Sequence, residues 1–161
     1  EGTARRVPGK PGTKWLEVGL GVGLVAGLLL GGLRYPALSL RGDGEAERFL
    51  AGAVQVLEPG SLVFSSADAA TFALWYGAWG SGELLEAAPD TVLVNVALLQ
   101  FDWYRALLVR IYPELAGVET GDTRAILAAN RELRPIFFSE IVGPVRAEEL
   151  EPVGSLWRYT R

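Results

Sequence analysis

Between Val18 and Leu33 the chain reads VGLGVGLVAGLLLGGL, sixteen residues with no charge, six of them glycine. No other stretch constrains the fold as strongly, because an apolar run of this length asks for an apolar surrounding along its whole course. As a helix, Trp15 to Leu33 would rise about 28 Å, close to a bilayer hydrocarbon core of roughly 30 Å. Trp15 and Tyr35 bracket the run as interfacial aromatics, and Lys14 and Arg34 mark its charged ends. Residues 15–35 are therefore expected to form a single transmembrane helix. Glycine costs about 0.8–1.0 kcal/mol relative to alanine inside a helix, so six of them need a compensating contact. Gly19, Gly23, Gly27 and Gly31 recur every fourth residue and form one ridge without side chains. Ridges of small residues let a second helix approach closely in lipid. They are the candidate helix-docking residues, with membrane lipid and neighbouring transmembrane helices, of the same longer protein or of a membrane complex, as expected partners.

Charge divides the chain in two. Residues 1–41 carry six basic and two acidic groups, a balance of +4, and residues 42–161 carry nine basic and seventeen acidic groups, a balance of −8. The positive-inside rule places residues 1–14 in the cytoplasm as a basic segment and residues 42–161 outside as an extracytoplasmic domain. A domain so acidic is repelled by phosphate backbones, so nucleic acid is not an expected partner. Cysteine and histidine are both absent, which excludes disulfides, thiolate metal sites, a Cys nucleophile and a Ser-His-Asp triad. No catalytic residue, metal site or cofactor is expected. The chain contains no Met, as expected of a processed form or a piece of a longer polypeptide.

From Gly42 the apolar pattern becomes that of an α/β domain. Asp43 can cap a helix through GEAERFLAGAVQVL, and SLVFSS reads as a buried strand. A helix from Asp68 through AATFALWYGAW, a strand in TVLVNVALL and a helix in FDWYRALLVRIYPEL follow. TGDTRAILAANREL starts at a capping Thr or Asp, RPIFFSE supplies a third strand, and Leu156–Tyr159 a last one after a loop at Pro152–Gly154. Alternating helices and apolar strands predict a Rossmann-like, three-layer α/β domain with a mainly parallel sheet. Ligands in such sheets sit beyond the carboxyl ends of the strands. Ser65, Ser66, Asp68, Asn95, Ser139 and Glu140 fall there, where hydroxyl and carboxylate oxygens suit a sugar hydroxyl or a cation. Ser66 or Asp68 equally suits a cap on the following helix. Phe72, Trp75, Tyr76 and Trp79 form one stripe at helical spacing, and Trp103 with Tyr104 a second group. Core packing is the first expectation for both, and contact with sugar rings or a partner is the alternative.

The order GDGEAERFLAGAVQVLEPGSLVFSSADAATFALWYGAW, PDTVLVNVALLQFDWY, RPIFF and EPVGSLWRY resembles the C-terminal extracytoplasmic region of a bacterial family of multi-spanning membrane proteins of unknown function. That family is glycosyltransferase-like, of the lipid-sugar-dependent GT-C type, and similar to protein O-mannosyltransferases. The resemblance runs from about Arg41 to Tyr159; its members show Gly-Asp before the aromatic helix where this chain has Ala67-Asp68. It implies a bacterial cytoplasmic membrane location, a glycan or lipid-linked sugar as ligand, and an accessory role in binding or positioning. The catalytic acid of such enzymes lies in a loop between early membrane helices, outside this chain. The alternative is a single-span structural subunit that docks through its glycine ridge. A third reading is a pilin-like filament subunit, from the prepilin-like placing of Gly12 ahead of Glu17.

Overall fold

The computed structural model describes residues 12–38, 44–142 and 145–160, and the chain divides into two compact units at Asp43/Gly44. The basic segment 1–14, save its last three residues, and the capping role of Asp43 fall outside the described residues.

The first unit contributes one helix, α1 (Gly12–Leu38). Among the described residues no helix is long and apolar enough to cross a membrane. This overturns the expected transmembrane helix at 15–35 and, with it, the single-pass location in a bacterial cytoplasmic membrane. Within α1, residues 17–31 include the carboxylate of Glu17 and five glycines, which bury nothing. The ridge of Gly19, Gly23, Gly27 and Gly31 is open: an added Cβ at any of the four meets nothing within 4 Å.

The second unit is a layered α/β domain. In chain order it holds α2 (Glu45–Val56), β1 (Leu62–Ser65), α3 (Asp68–Trp75), α4 (Glu83–Ala87), β2 (Val92–Asn95), α5 (Asp102–Ile111), α6 (Thr123–Asn130), β3 (Ile136–Phe138), β4 (Leu150–Val153) and β5 (Leu156–Tyr159). The sheet order is β2-β1-β3-β5-β4. β1 pairs parallel with β2 and β3, whereas β5 pairs antiparallel with both β3 and β4. The sheet is therefore mixed, and the expected mainly parallel sheet is wrong. The reason lies in the last twenty residues. Gly154 takes φ +58 and, with Ser155, makes a two-residue loop between Val153 and Leu156, which register opposite each other. A positive φ at the first loop position alone is the pattern of a type II′ turn, which matches the twist of an antiparallel hairpin. Pro152 in β4 read as a loop residue because it cannot donate to a ladder. β4 is an edge strand, where a missing donor is tolerated.

Side-chain alternation along the strands feeds two cores. Leu62, Phe64, Val92, Val94, Ile136 and Phe138 face α5 and α6, and the Phe64 and Phe138 rings stack at 5.0 Å. Val63, Leu93, Phe137 and Leu156 face α2, α3 and α4, where Leu50, Leu74 and Leu84 complete the second core. Both faces of the sheet are thus covered, which is why β1, β2 and β3 are buried at every position. Asp122 caps α6 by accepting from the Arg124 amide at 3.0 Å.

α3 continues as a π turn over Tyr76–Gly80. Gly77 lies against α2: a Cβ there would stand 2.4 Å from Leu50 Cδ1, so only glycine admits this contact without repacking. The wider turn breaks the 3.6-residue period that a single aromatic stripe assumes.

Candidate functional site

The carboxyl ends of β1, β2 and β3 bring together most of the polar residues that the sequence placed there. Ser65 and Asn95, the last residues of β1 and β2, are register partners and both buried. Thr71 of α3 lies between them. Its hydroxyl donates to Ser65 Oγ at 2.9 Å and accepts from Asn95 Nδ2 at 3.0 Å. Asn95 Oδ1 accepts from the Leu98 amide at 3.1 Å and so caps the 3-10 turn Val96–Gln100. The Asn95 amide donates to Tyr104 Oη at 2.8 Å. Burial of that phenol raises its pKa from 10.0 to about 12, against the lowering effect of the Asn95 hydrogen bond.

Glu140 occupies the remaining space. Its Oε1 accepts from the backbone amides of Ser66 and Ala67, each at 2.6 Å, and its Oε2 accepts from Ser139 Oγ. A carboxylate at this place satisfies free amides at the start of α3, where helix dipole and open donors both favour negative charge. The helix has Ala67 at its N-cap and no capping side chain of its own. Neither Ser66 nor Asp68 provides the expected side-chain cap; Asp68 is exposed on the first turn. The cap comes instead from a residue 73 positions away.

These bonds change the chemical reading of the cluster. Ser65 and Asn95 spend their side-chain polar atoms on Thr71 and the Leu98 amide, and Glu140 spends its carboxylate on two backbone amides and Ser139. Such a closed network holds the strand ends in place and presents little to a ligand. Among the described residues no group of three Asp or Glu side chains is placed to hold a metal ion.

The aromatic residues are the exposed feature. Phe72, Tyr76 and Trp79 are 61%, 62% and 56% accessible, with Trp75 half-buried between them. Trp75 meets Phe72 edge-on at 5.8 Å and Trp79 at 6.0 Å. The first expectation, core packing, fails for three of these four, because the helix surface that faces the sheet carries Thr71, Ala73, Leu74 and Ala78 instead. Phe72 and Tyr76 border a cavity of about 470 Å³ between α2 and α3. Leu50, Ala69 and Ala73 line it together with Glu47 and Glu83. In the second group Tyr104 is buried, while Trp103 is exposed and stacks on Phe101 at 6.2 Å.

Phe101, Thr71, Glu47 and Glu83 were not among the expected site residues, whereas Phe72 belongs to the aromatic stripe read from its spacing. The two glutamates lie 36 positions apart, Glu47 on α2 and Glu83 at the start of α4, and only the packing of these helices unites them.

No family model, curated protein or solved structure matches this chain.

Proposed function

We propose that residues 44–160 act as a binding module, and that the working surface is the aromatic face of α3 and its π turn, which takes a glycan or the sugar of a lipid-linked donor and positions it for a transferase. One observation carries the reading: Phe72, Tyr76 and Trp79 are more than half exposed beside an apolar cavity that also holds two carboxylates. Exposed aromatics crowded on one face mark an interaction site, not a packing accident. Aromatic faces suit the apolar faces of sugar rings, while carboxylates accept hydrogen bonds from hydroxyl groups. A cavity of about 470 Å³ lies within the range of small-ligand sites. The resemblance to glycosyltransferase-like proteins supports the same ligand class. Binding is favoured over catalysis because the chain lacks histidine and cysteine and the buried polar cluster is internally bonded.

Titration of the full chain with mannose and glucose oligosaccharides, followed by tryptophan fluorescence, tests the proposal. Saturable quenching is expected, weakened at least tenfold in Trp79→Ala and Tyr76→Ala. A signal unchanged in both variants, or no saturable signal with any sugar, defeats it. Saturable binding of an apolar helical peptide in place of sugars would point instead to a protein partner at this face, for which Leu50 and Ala73 in the cavity lining are the supporting feature.

A further inference from the structure

At the other end of the sheet, where β3 begins and β5 finishes, lies a second cavity of about 470 Å³. Its lining carries three guanidinium groups, Arg131, Arg134 and Arg158, against one carboxylate, Glu132. Such a concentration of cations is unexpected in a segment with seventeen acidic and nine basic groups. Arg131 lies 3.4 Å from Glu132 and Arg158 lies 3.0 Å from Glu58, both pairs at the surface.

Arg134 is different. Its side chain is only 13% exposed, and Glu114 approaches no closer than 4.0 Å. Its Nε is buried and has no hydrogen-bond partner among the described residues. A guanidinium carries five donors, accepts nothing and stays charged, so an unfilled buried donor on it is costly to maintain. Its position is firmly set. Pro135 restricts the backbone of Arg134 to extended conformations, and the Leu62 amide donates to the Pro135 carbonyl at 2.8 Å. Arg158 is held by the ladder opposite Phe137, its Cζ 5.7 Å from the ring centre. β5 and the bend that leads into β3 thus carry two guanidinium groups to one cavity.

We propose that this cavity binds a small oxyanion, a carboxylate or a phosphate monoester, with Arg134 as the buried anchor and Arg131 and Arg158 at the rim. The planar fork of arginine matches either anion with two parallel hydrogen bonds. The anion takes up the donors that Glu114 leaves unfilled. It shares Arg158 with Glu58 and Arg131 with Glu132, whose contacts are exposed and readily exchanged. The site is independent of the aromatic face, since it lies on different elements and needs no sugar.

The test is an amide-resolved NMR titration of the isotope-labelled full chain with inorganic phosphate and, separately, with N-acetylglycine. Saturable shifts confined to residues 131–136 and 158–160 are expected with at least one anion. Saturation by phosphate alone identifies a phosphate ester as the source, and by N-acetylglycine alone a carboxylate; both support the site. Affinity should fall at least tenfold in Arg134→Lys, which keeps the charge but loses the fork, and in Arg158→Gln. Arg158 is exposed, so the second variant decides the matter if the first does not fold. No saturable shift up to about 50 mM of either anion, which is weaker than any built site of this kind, overturns the proposal. Unchanged affinity in folded Arg158→Gln overturns it as well.

Discussion

Replacing Asn95 by alanine separates a structural network from a ligand site. In the folded chain the Asn95 side chain makes two bonds, from Nδ2 to Thr71 Oγ1 at 3.0 Å and from the Leu98 amide to Oδ1 at 3.1 Å. The second is a capping bond, and its loss costs about 1 kcal/mol. The first is buried and side chain to side chain, and contributes about another 1 kcal/mol. The amide group vacates space in a layer where Ser65 and Thr71 are equally buried, and incomplete collapse there adds roughly 1 kcal/mol. Asn95→Ala is therefore expected to destabilise the domain by about 3 kcal/mol, a large share of the 5–15 kcal/mol typical of a domain. Urea unfolding followed by tryptophan fluorescence measures this, with an unchanged denaturant slope as the check on two-state behaviour. Thr71→Val removes the other end of the same bond, so the double variant should fall short of additivity by about 1 kcal/mol. If Asn95→Ala stays within about 0.5 kcal/mol of the parent, Asn95 is not held by this network and its polar atoms are free for a ligand.

Two further outcomes follow from the packing. Glu149 is buried in the 3-10 turn just before β4, accepts from both terminal nitrogens of Arg124 at 3.2 and 3.0 Å, and accepts from the Arg146 amide at 2.9 Å. The Arg124 bonds lead in holding its carboxyl at a pKa of about 2 instead of 4.5. A folded-state pKa below the unfolded one stabilises at high pH, so this contribution is complete above pH 4.5 and fades as pH falls towards 2. Melting temperatures across that window should converge for the parent and Glu149→Gln, and a constant gap would contradict the assignment. Gly77→Ala places a methyl 2.4 Å from Leu50 Cδ1 and should cost about 1–3 kcal/mol in urea unfolding, whereas Gly60→Ala, with open space around it, should show only the smaller cost of its positive φ.

Some of this was legible in the sequence because it is local. SLVFSS, TVLVNVALL and RPIFFSE each contain an observed strand, since an apolar run bounded by turn residues records burial whatever its neighbours are. Asp122 as a cap is likewise decided within two residues of the bond it makes. The candidate site was legible only as a place. Ser65, Asn95 and Glu140 do meet beyond the strand ends, but their partners make the cluster a support for the fold.

Composition by itself determined which chemistries are excluded, since no packing can supply a missing histidine or cysteine. Burial patterns determined that β1, β2, β3 and β5 enter the sheet, but not β4, which holds Pro152. Only the tertiary structure decided strand direction, because the burial pattern of a strand is the same in either sense and the Gly154 turn reverses the chain. Only it decided that Glu140 would close the start of α3 from 73 residues away, and that Arg134 and Arg158 would share a cavity. Periodicity records whether a side chain is covered. What covers it is set by contacts between segments distant in the chain, which no local pattern carries.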